Sequence, residues 1–296
     1  MIYKFFYPLT LLVAGFFFVG NFCTQLTDGF FPYKIPSSLP FHKEWEVSSL
    51  KKENQHLFEN IFSQSFHYLS KGDQCFVFES QDSQYVLKFP YHSSLLAPFW
   101  LRPFPFFAEQ YREYQMQKRQ KRLHRDAMSY VLAFKELKEE TALIALHLNR
   151  TQMLQQTVIL TDKIGVQHRV ALDEVEFILQ RKAKLLYPAL NDWIAHGQIA
   201  SAERALSDLV HLLLIRHASE IQDLEQHIET NFGFLGEKAV QIDIGRLRKC
   251  QKKANPTVRS VREEIEQCLY TLKQFLNDHH PELAHYLEFK LNSDKK

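Results

Sequence analysis

Hydrophobic and polar positions change rhythm several times along this chain. After Lys4 the run FFYPLTLLVAGFFFVGNFC carries no charge for about 19 residues, long enough for a helix to reach across a bilayer's hydrocarbon. Residues 24–42 lose all period and hold TDGFFPYKIPSSLPFH, with three prolines, the mark of a linker. From Lys43 to Phe66, KEWEVSSLKKENQHLFENIFSQSF follows an amphipathic helical pattern. CFVFES and SQYVLKF read as two strands around a turn at Gln81-Asp82. In the second, Val86 and Lys88 share one face and Tyr85, Leu87 and Phe89 the other. Residues 90–107, PYHSSLLAPFWLRPFPFF, form an aromatic, proline-broken insertion. A long helix is predicted from Ala108 to Leu148. Its first half presents Lys118, Arg119, Lys121, Arg122 and Arg125 to solvent, and its second half carries a stripe of Phe134, Leu137, Thr141, Ile144 and Leu148. Strand patterns return at TVILTDKIG and EVEFILQ, and helical ones at 187–197, 200–217, 257–278 and 281–292.

Strands early and helices late predict an α+β chain in two layers or two lobes. A length of 296 residues suits one two-lobed domain plus an N-terminal extension. The predicted divisions are an anchor or signal segment at 1–23, a linker at 24–42, a β-rich lobe at 43–183 and a helical lobe at 184–296. A hydrophobic content of 45% with 24% charged residues is that of a globular protein able to bury a core. The net charge of +2 offers no bulk attraction for nucleic acid, so no such partner is expected. Cys23, Cys75, Cys250 and Cys268 are scattered, without disulfide-scaffold or metal-ligand spacing.

The N-terminal run lacks the small residues a signal peptidase needs around Gly20, Asn21 and Phe22, and Phe22 does not suit lipoprotein processing at Cys23. It therefore predicts an uncleaved single-pass anchor through residues 5–22. Lys34 and Lys43 after the span, against Lys4 before it, favour a cytoplasmic body. A cleaved segment with a secreted or periplasmic body is the alternative.

Candidate chemistry gathers around NFGFLGEKAVQIDIG. Asn231 opens this stretch and Asp243 begins its Asp-Ile-Gly, on two neighbouring short strands. An amide oxygen and a carboxylate brought together there suit Mg²⁺ bound to phosphates, which takes few protein oxygens and keeps its waters. Asp223 and Glu225 are acids a short way upstream. Glu140 falls on the flank of the Leu137/Ile144/Leu148 stripe, whereas Glu139 points away from it. His211 and His217 read as structural, and His279-His280 before Pro281 as a helix cap.

The segment YLSKGDQCFVFESQDSQYVLKF is similar to the opening strands of the protein-kinase-like superfamily, where G-x-G-x-x-G-x-V precedes a strand bearing Lys. Ser70, Gly72, Cys75 and Val77 stand at those positions and Lys88 on the strand. EVEFILQRKAKLLYPAL resembles the last strand of the small lobe and the hinge, which would offer backbone near Gln180 to Lys182 to a purine. Asp223, Asn231 and Asp243 follow in the family's order. The departures are specific: no His-Arg-Asp occurs, Asp223 stands farther from Asn231 than in H-R-D-x-x-x-x-N, Ile244 replaces Phe, and no Ala-Pro-Glu follows.

The resemblance covers roughly 65–250. It implies a two-lobed protein-kinase-like fold with a β-rich N-lobe and a reduced helical C-lobe, preceded by the N-terminal hydrophobic helix. It also implies ATP and Mg²⁺ as cofactors, with Lys88 on the phosphates, Glu140 orienting Lys88, Asp223 as base with Glu225 as its substitute, and Asn231 and Asp243 on the metal. The acceptor would be a protein or a small molecule. Two other readings stand beside it: a pseudokinase-like scaffold at the membrane without catalysis, and a secreted structural or effector protein carrying the motif by chance.

Overall fold

The computed structural model of the protein describes residues 3–37, 39–47, 55–90, 105–250 and 261–293. The chain divides into two units. One comprises Met1–His42, Leu50–Pro98 and His147–Ile178, the other Lys43–Ser49, Phe99–Leu146 and Leu179–Lys296. Strands and helices are numbered along the chain.

In the first unit β1 (Ser65–Lys71), β2 (Cys75–Ser80) and β3 (Tyr85–Pro90) form an antiparallel meander. β5 (Thr157–Thr161) runs parallel to β1 and turns back as β6 (Gln167–Ala171). With β4 (Leu143–His147) and β7 (Phe177–Arg181), along which the chain passes between units, they make a seven-stranded sheet in the order β4-β7-β3-β2-β1-β5-β6. Alternate aromatic positions build the core. Phe66, Phe76, Phe78, Leu87, Phe89, Val158 and Leu160 are all fully buried.

The segment 24–42 is not a free linker. Helix α1 (Tyr3–Leu26) runs into it and ends at Asp28 and Gly29, both at positive φ, where Gly29 N donates to Thr24 O. Phe30 then packs edge-on against Phe76 and Phe78, Ile35 is fully buried, Ser37 N donates to Glu174 O, and Asn149 grips both backbone groups of His42. Its apolar residues belong to the sheet's core, which aperiodic spacing conceals. The anchor expected over 5–22 includes side chains outside the described ones. Among the described residues no helix is long and apolar enough to cross a membrane.

Two predicted helices end early. The one from Lys43 to Phe66 is a 3₁₀ turn at Lys43–Trp45 and a short α2 (Gln55–Phe62), after which β1 takes Ser65 onward into hydrogen bonds with β2. The one from Ala108 to Leu148 is α3 (Pro105–Glu136) followed by a turn and then β4. At that turn Thr141 Oγ1 donates to Leu137 O, Leu143 N donates to Lys138 O and Ala142 has φ +52°. LIALH is buried at four of its five positions, and a short apolar run of that kind suits a sheet as well as a helix. The aromatic insertion at 90–107 lies almost wholly outside the described residues.

In the second unit α5 (Ile199–Ala218) is the central helix. Ala202, Ala205, Leu206, Leu209, Val210 and Leu213 recur at helical spacing on its buried side. They share one core with α4 (Leu186–Ala195), α8 (Tyr270–His279) and α9 (Pro281–Ser293). His280 caps α8 and accepts the Leu283 and Ala284 N–H groups that open α9, as its sequence context implied. Two small sheets lie in this unit: β8 (Lys184–Leu185), β10 (Phe232–Leu235) and β11 (Lys238–Gln241) in the order β11-β10-β8, and β9 (Ile221–Asp223) with β12 (Leu247–Lys249). They carry Asp223, Asn231 and Asp243 at their ends. The architecture is mixed α+β.

Candidate active site

Asp223 is the last residue of β9 and is 4% exposed. Its Oδ1 accepts from Glu225 N at 2.9 Å and its Oδ2 from Gln241 Nε2 at 2.8 Å. Arg216, buried on α5, stands 3.7 Å from Oδ2 and donates to Gln241 Oε1 at 3.1 Å. Burial raises the Asp223 carboxyl above the ordinary carboxylate range, and the Asp243 charge adds to the rise. The Glu225 N–H, Arg216 and Gln241 oppose it.

Gln241 connects the two acids. The same Nε2 that holds Asp223 also donates to Asp243 O at 3.0 Å. Asp243 itself is exposed, and its Oδ1 accepts from Gly245 N at 3.0 Å. The Asp-Ile-Gly segment is fixed from the other side by Ser129 of α3, which donates to Ile244 O at 2.5 Å and accepts from Leu247 N at 2.6 Å.

Asn231 ends α6 (Ile228–Asn231) and is 5% exposed. Its backbone carbonyl accepts from Ile242 N at 2.6 Å, which draws the Asn231 and Asp243 ends of the β10–β11 hairpin together. Nδ2 donates to Glu225 O at 2.6 Å. A carbonyl only accepts, so this contact orients the amide and leaves Oδ1 as the acceptor end. Oδ1 takes the Thr230 hydroxyl at 3.0 Å. Gly233 allows the hairpin to lie where it does: a Cβ there would stand 2.5 Å from Lys184 O and 2.8 Å from Ile242 Cδ1.

Among the described residues no group of three or more His, Cys, Asp or Glu is arranged to hold a metal. Asn231 and Asp243 are joined through the backbone, Asn231 O accepting from Ile242 N, and a carboxylate with an amide oxygen is the donor chemistry of a cation that needs few protein ligands and completes its shell with water and phosphate. Mg²⁺ is such a cation.

In the first unit Ser70, Val77 and Lys88 are direct partners across β1, β2 and β3, so their side chains form one row on one face of the sheet. Cys75, two residues before Val77, shares that side of β2. Gly72 lies in the β1–β2 turn and donates to Cys75 O at 2.9 Å. Strand pairing thus brings together Ser70, Val77 and Lys88, which the sequence had placed in one motif.

Glu140 differs from expectation. It lies in the turn after α3, not on the helix that was to present it, and its carbonyl accepts from Gln241 N at 2.7 Å. Glu139 is 79% exposed on its side chain and faces Lys238 at 3.4 Å. Of the Gln180–Lys182 backbone, the Arg181 N–H already donates to Ala142 O at 3.0 Å. Glu225, the alternative base, meets Arg246 Nη2 at 3.2 Å. His211 is exposed, and His217 pairs with Glu264 at 2.9 Å. Sequence reasoning missed Gln241, Arg216 and Ser129. Gln241 had a faint signal, as the one uncharged polar residue in the run AVQIDI beside a candidate ligand.

No protein-family model matches this chain, and no curated protein matches it. Among solved structures it is similar to a crystal structure of WbdD, at 15% identity and a TM-score of 0.36, over 76% of this chain and 45% of that one. The chain spans less than half the length of that protein, and the likeness is too slight to decide a fold.

Proposed function

We propose that the second unit carries a protein-kinase-like site that binds a nucleoside triphosphate with Mg²⁺ and transfers its terminal phosphate to a hydroxyl. The supporting observation is the Gln241 bridge, which holds Asp223 and the Asp243 backbone on one side-chain nitrogen while the Asn231 oxygen lies at the same hairpin end. In this reading Asp243 and Asn231 take the metal, which supplies charge neutralisation on the phosphates. Asp223 orients the acceptor hydroxyl and receives its proton as the new O–P bond forms and the bond to the diphosphate breaks. A carboxyl raised by burial is the better proton acceptor near neutral pH.

Binding without transfer is the second reading. It is favoured by the burial of Asp223, both of whose oxygens are already engaged within the protein. The two readings share the nucleotide and differ in turnover.

Thermal unfolding of the full chain with ATP, with and without Mg²⁺, tests the common part. A rise in Tm that requires Mg²⁺ and is lost in Asp243→Asn is the expected result. Ligand at about 100 times its Kd stabilises by about 2.7 kcal/mol, so the absence of any shift at millimolar ATP would overturn both readings. Release of ADP in the presence of candidate acceptors then separates them.

A further inference from the structure

Helix α3 carries a stripe of positive charge that the candidate site does not use. At 3.6 residues per turn, Tyr111, Tyr114, Lys118, Lys121, Arg122 and Arg125 fall within an arc of roughly 100° and extend over roughly 21 Å. All six are exposed. Tyr111 is 52% and Tyr114 60% exposed, and the Arg122 and Arg125 side chains are 51% and 45% exposed. The other side of the helix holds Leu123, Asp126, Ala127 and Tyr130, which are half-buried or buried. That side packs toward β12 and the Lys43–Trp45 turn, so the stripe points outward.

The counter-charge within reach is small. No acid occurs between Tyr114 and Arg125. Asp126 is the acid of the stripe's C-terminal end: Arg125 Nε and Nη2 donate to its Oδ1 at 3.1 and 2.9 Å, and Arg122 Nε stands 3.7 Å from its Oδ2. One carboxylate is thus shared by two guanidinium groups. Glu44 lies 3.8 Å from His124, off the stripe. Among the described residues no acid pairs with Lys118 or Lys121. Lys118 with Arg122 and Lys121 with Arg125 are like charges four residues apart, an arrangement that weakens a helix. An anionic surface laid along the stripe would relieve that repulsion.

The narrow arc bears on what that surface is. A helix seated in a nucleic-acid groove meets phosphates along both flanks, whereas the flanks of this segment hold Met116, Gln117 and Gln120, without charge. A plane touches the whole stripe at once. Tyr111 and Tyr114 continue the stripe at its N-terminal end, and tyrosine, with an apolar ring and a polar tip, is the residue type of the membrane–water boundary.

We infer that the outward face of α3 is a docking surface for an anionic lipid bilayer. Lys118, Lys121, Arg122 and Arg125 meet the lipid phosphates, and Tyr111 and Tyr114 lie at headgroup level. Four basic residues on one helix face are enough for such recognition. The inference does not rest on the nucleotide site.

The test is flotation of the full chain with vesicles of phosphatidylcholine, with or without phosphatidylglycerol. The readout is the ratio of the two partition coefficients, because the exposed phenylalanines of α1 add to both alike. The expected result is a strong preference for the anionic vesicles that disappears in about 1 M salt, where charges are screened beyond about 3 Å. Lys118→Gln with Lys121→Gln should lower the ratio roughly thirtyfold, about fivefold for each lysine. Lys118→Arg with Lys121→Arg should retain it, which separates charge from a folding defect. Lys184→Gln with Lys238→Gln removes the same charge from β8 and β11 and should change the ratio by less than about threefold. Equal partitioning onto both vesicle types, or full preference in the Lys118/Lys121 glutamine pair, would overturn the proposal. So would an equal loss in the Lys184/Lys238 pair, which would make net charge the cause. Retention by a DNA duplex without preference for anionic vesicles would also overturn it and mark a nucleic-acid surface instead.

Discussion

Gln241 Nε2 donates to Asp223 Oδ2 at 2.8 Å, and the two residues are 1% and 4% exposed. The bond joins β11 to β9, which belong to different small sheets. It also places an uncharged donor where a second acid would have repelled Asp223. Through its other contacts the same amide is tied to Arg216 and to the backbone of Asp243, so one side chain sets the positions of three charged groups.

Gln241→Leu should therefore cost about 3 kcal/mol in a urea unfolding series at neutral pH. It leaves a buried carboxylate short of a donor and a buried guanidinium short of an acceptor, and unpaired buried groups are the costly case. A loss under 1 kcal/mol would show that the bridge does not hold these charges.

Gly233→Ala should destabilise by about 2–3 kcal/mol, because the added methyl meets the Lys184 carbonyl at 2.5 Å and strand β8 must move. Gly72→Ala is the matched control. Its nearest atom, Cys75 O, would be 3.8 Å away, and a change within about 0.5 kcal/mol is expected. Equal effects of the two substitutions would argue against strand contact as the cause.

Removing the Ser129 hydroxyl leaves Ile244 O without its donor and Leu247 N without its acceptor, both inside the protein. Ser129→Ala should lower stability by about 2 kcal/mol and diminish any Mg²⁺-dependent nucleotide shift, by loosening the segment that carries Asp243. An unchanged nucleotide shift despite the stability loss would separate α3 from the site.

His147 supplies a pH dependence. It is 5% exposed, stacks on Phe177, donates from Nδ1 to Val175 O at 2.8 Å and stands 3.1 Å from Thr151 Oγ1. Burial lowers its pKa. The Val175 carbonyl, Asp173 and Glu176 oppose that shift without reversing it. Below the unfolded value near 6.5 the unfolded chain then binds the proton first, so stability falls as pH drops from there toward the lowered folded value. The slope is at most about 1.4 kcal/mol per pH unit. Unfolding free energies at successive pH values should show this fall in the wild type and a shallower one in His147→Gln.

If phosphate is transferred, Asp223→Asn should reduce ADP release by about 10²–10⁴-fold while leaving the Mg²⁺-dependent nucleotide shift in place. A turnover unchanged by this substitution would leave the base role to another group.

The α+β class, the strands CFVFES, YVLKF, TVILT and FILQ, and the later helices were legible in the sequence because each shows its apolar run or period within one short segment. Asp223, Asn231 and Asp243 were legible as residue types at ordered positions. The end of α3 was not. Leu137, Ile144 and Leu148 satisfy a helical stripe as well as LIALH satisfies a buried strand, and hydrogen bonds formed across distant parts of the chain decide between them. The packing of Phe30 and Ile35 under the sheet was hidden for a similar reason, since aperiodic apolar residues declare no face.

The sequence by itself determined which elements could form and which side chains could do chemistry, since both follow from local periodicity and functional groups. Only the tertiary structure decided that Ser70, Val77 and Lys88 stand in one row and that Gln241 holds Asp223 and Asp243. Each of these depends on strand register or on the close approach of segments far apart in the chain. Register is set by the burial of whole faces, and a short window of sequence does not contain it.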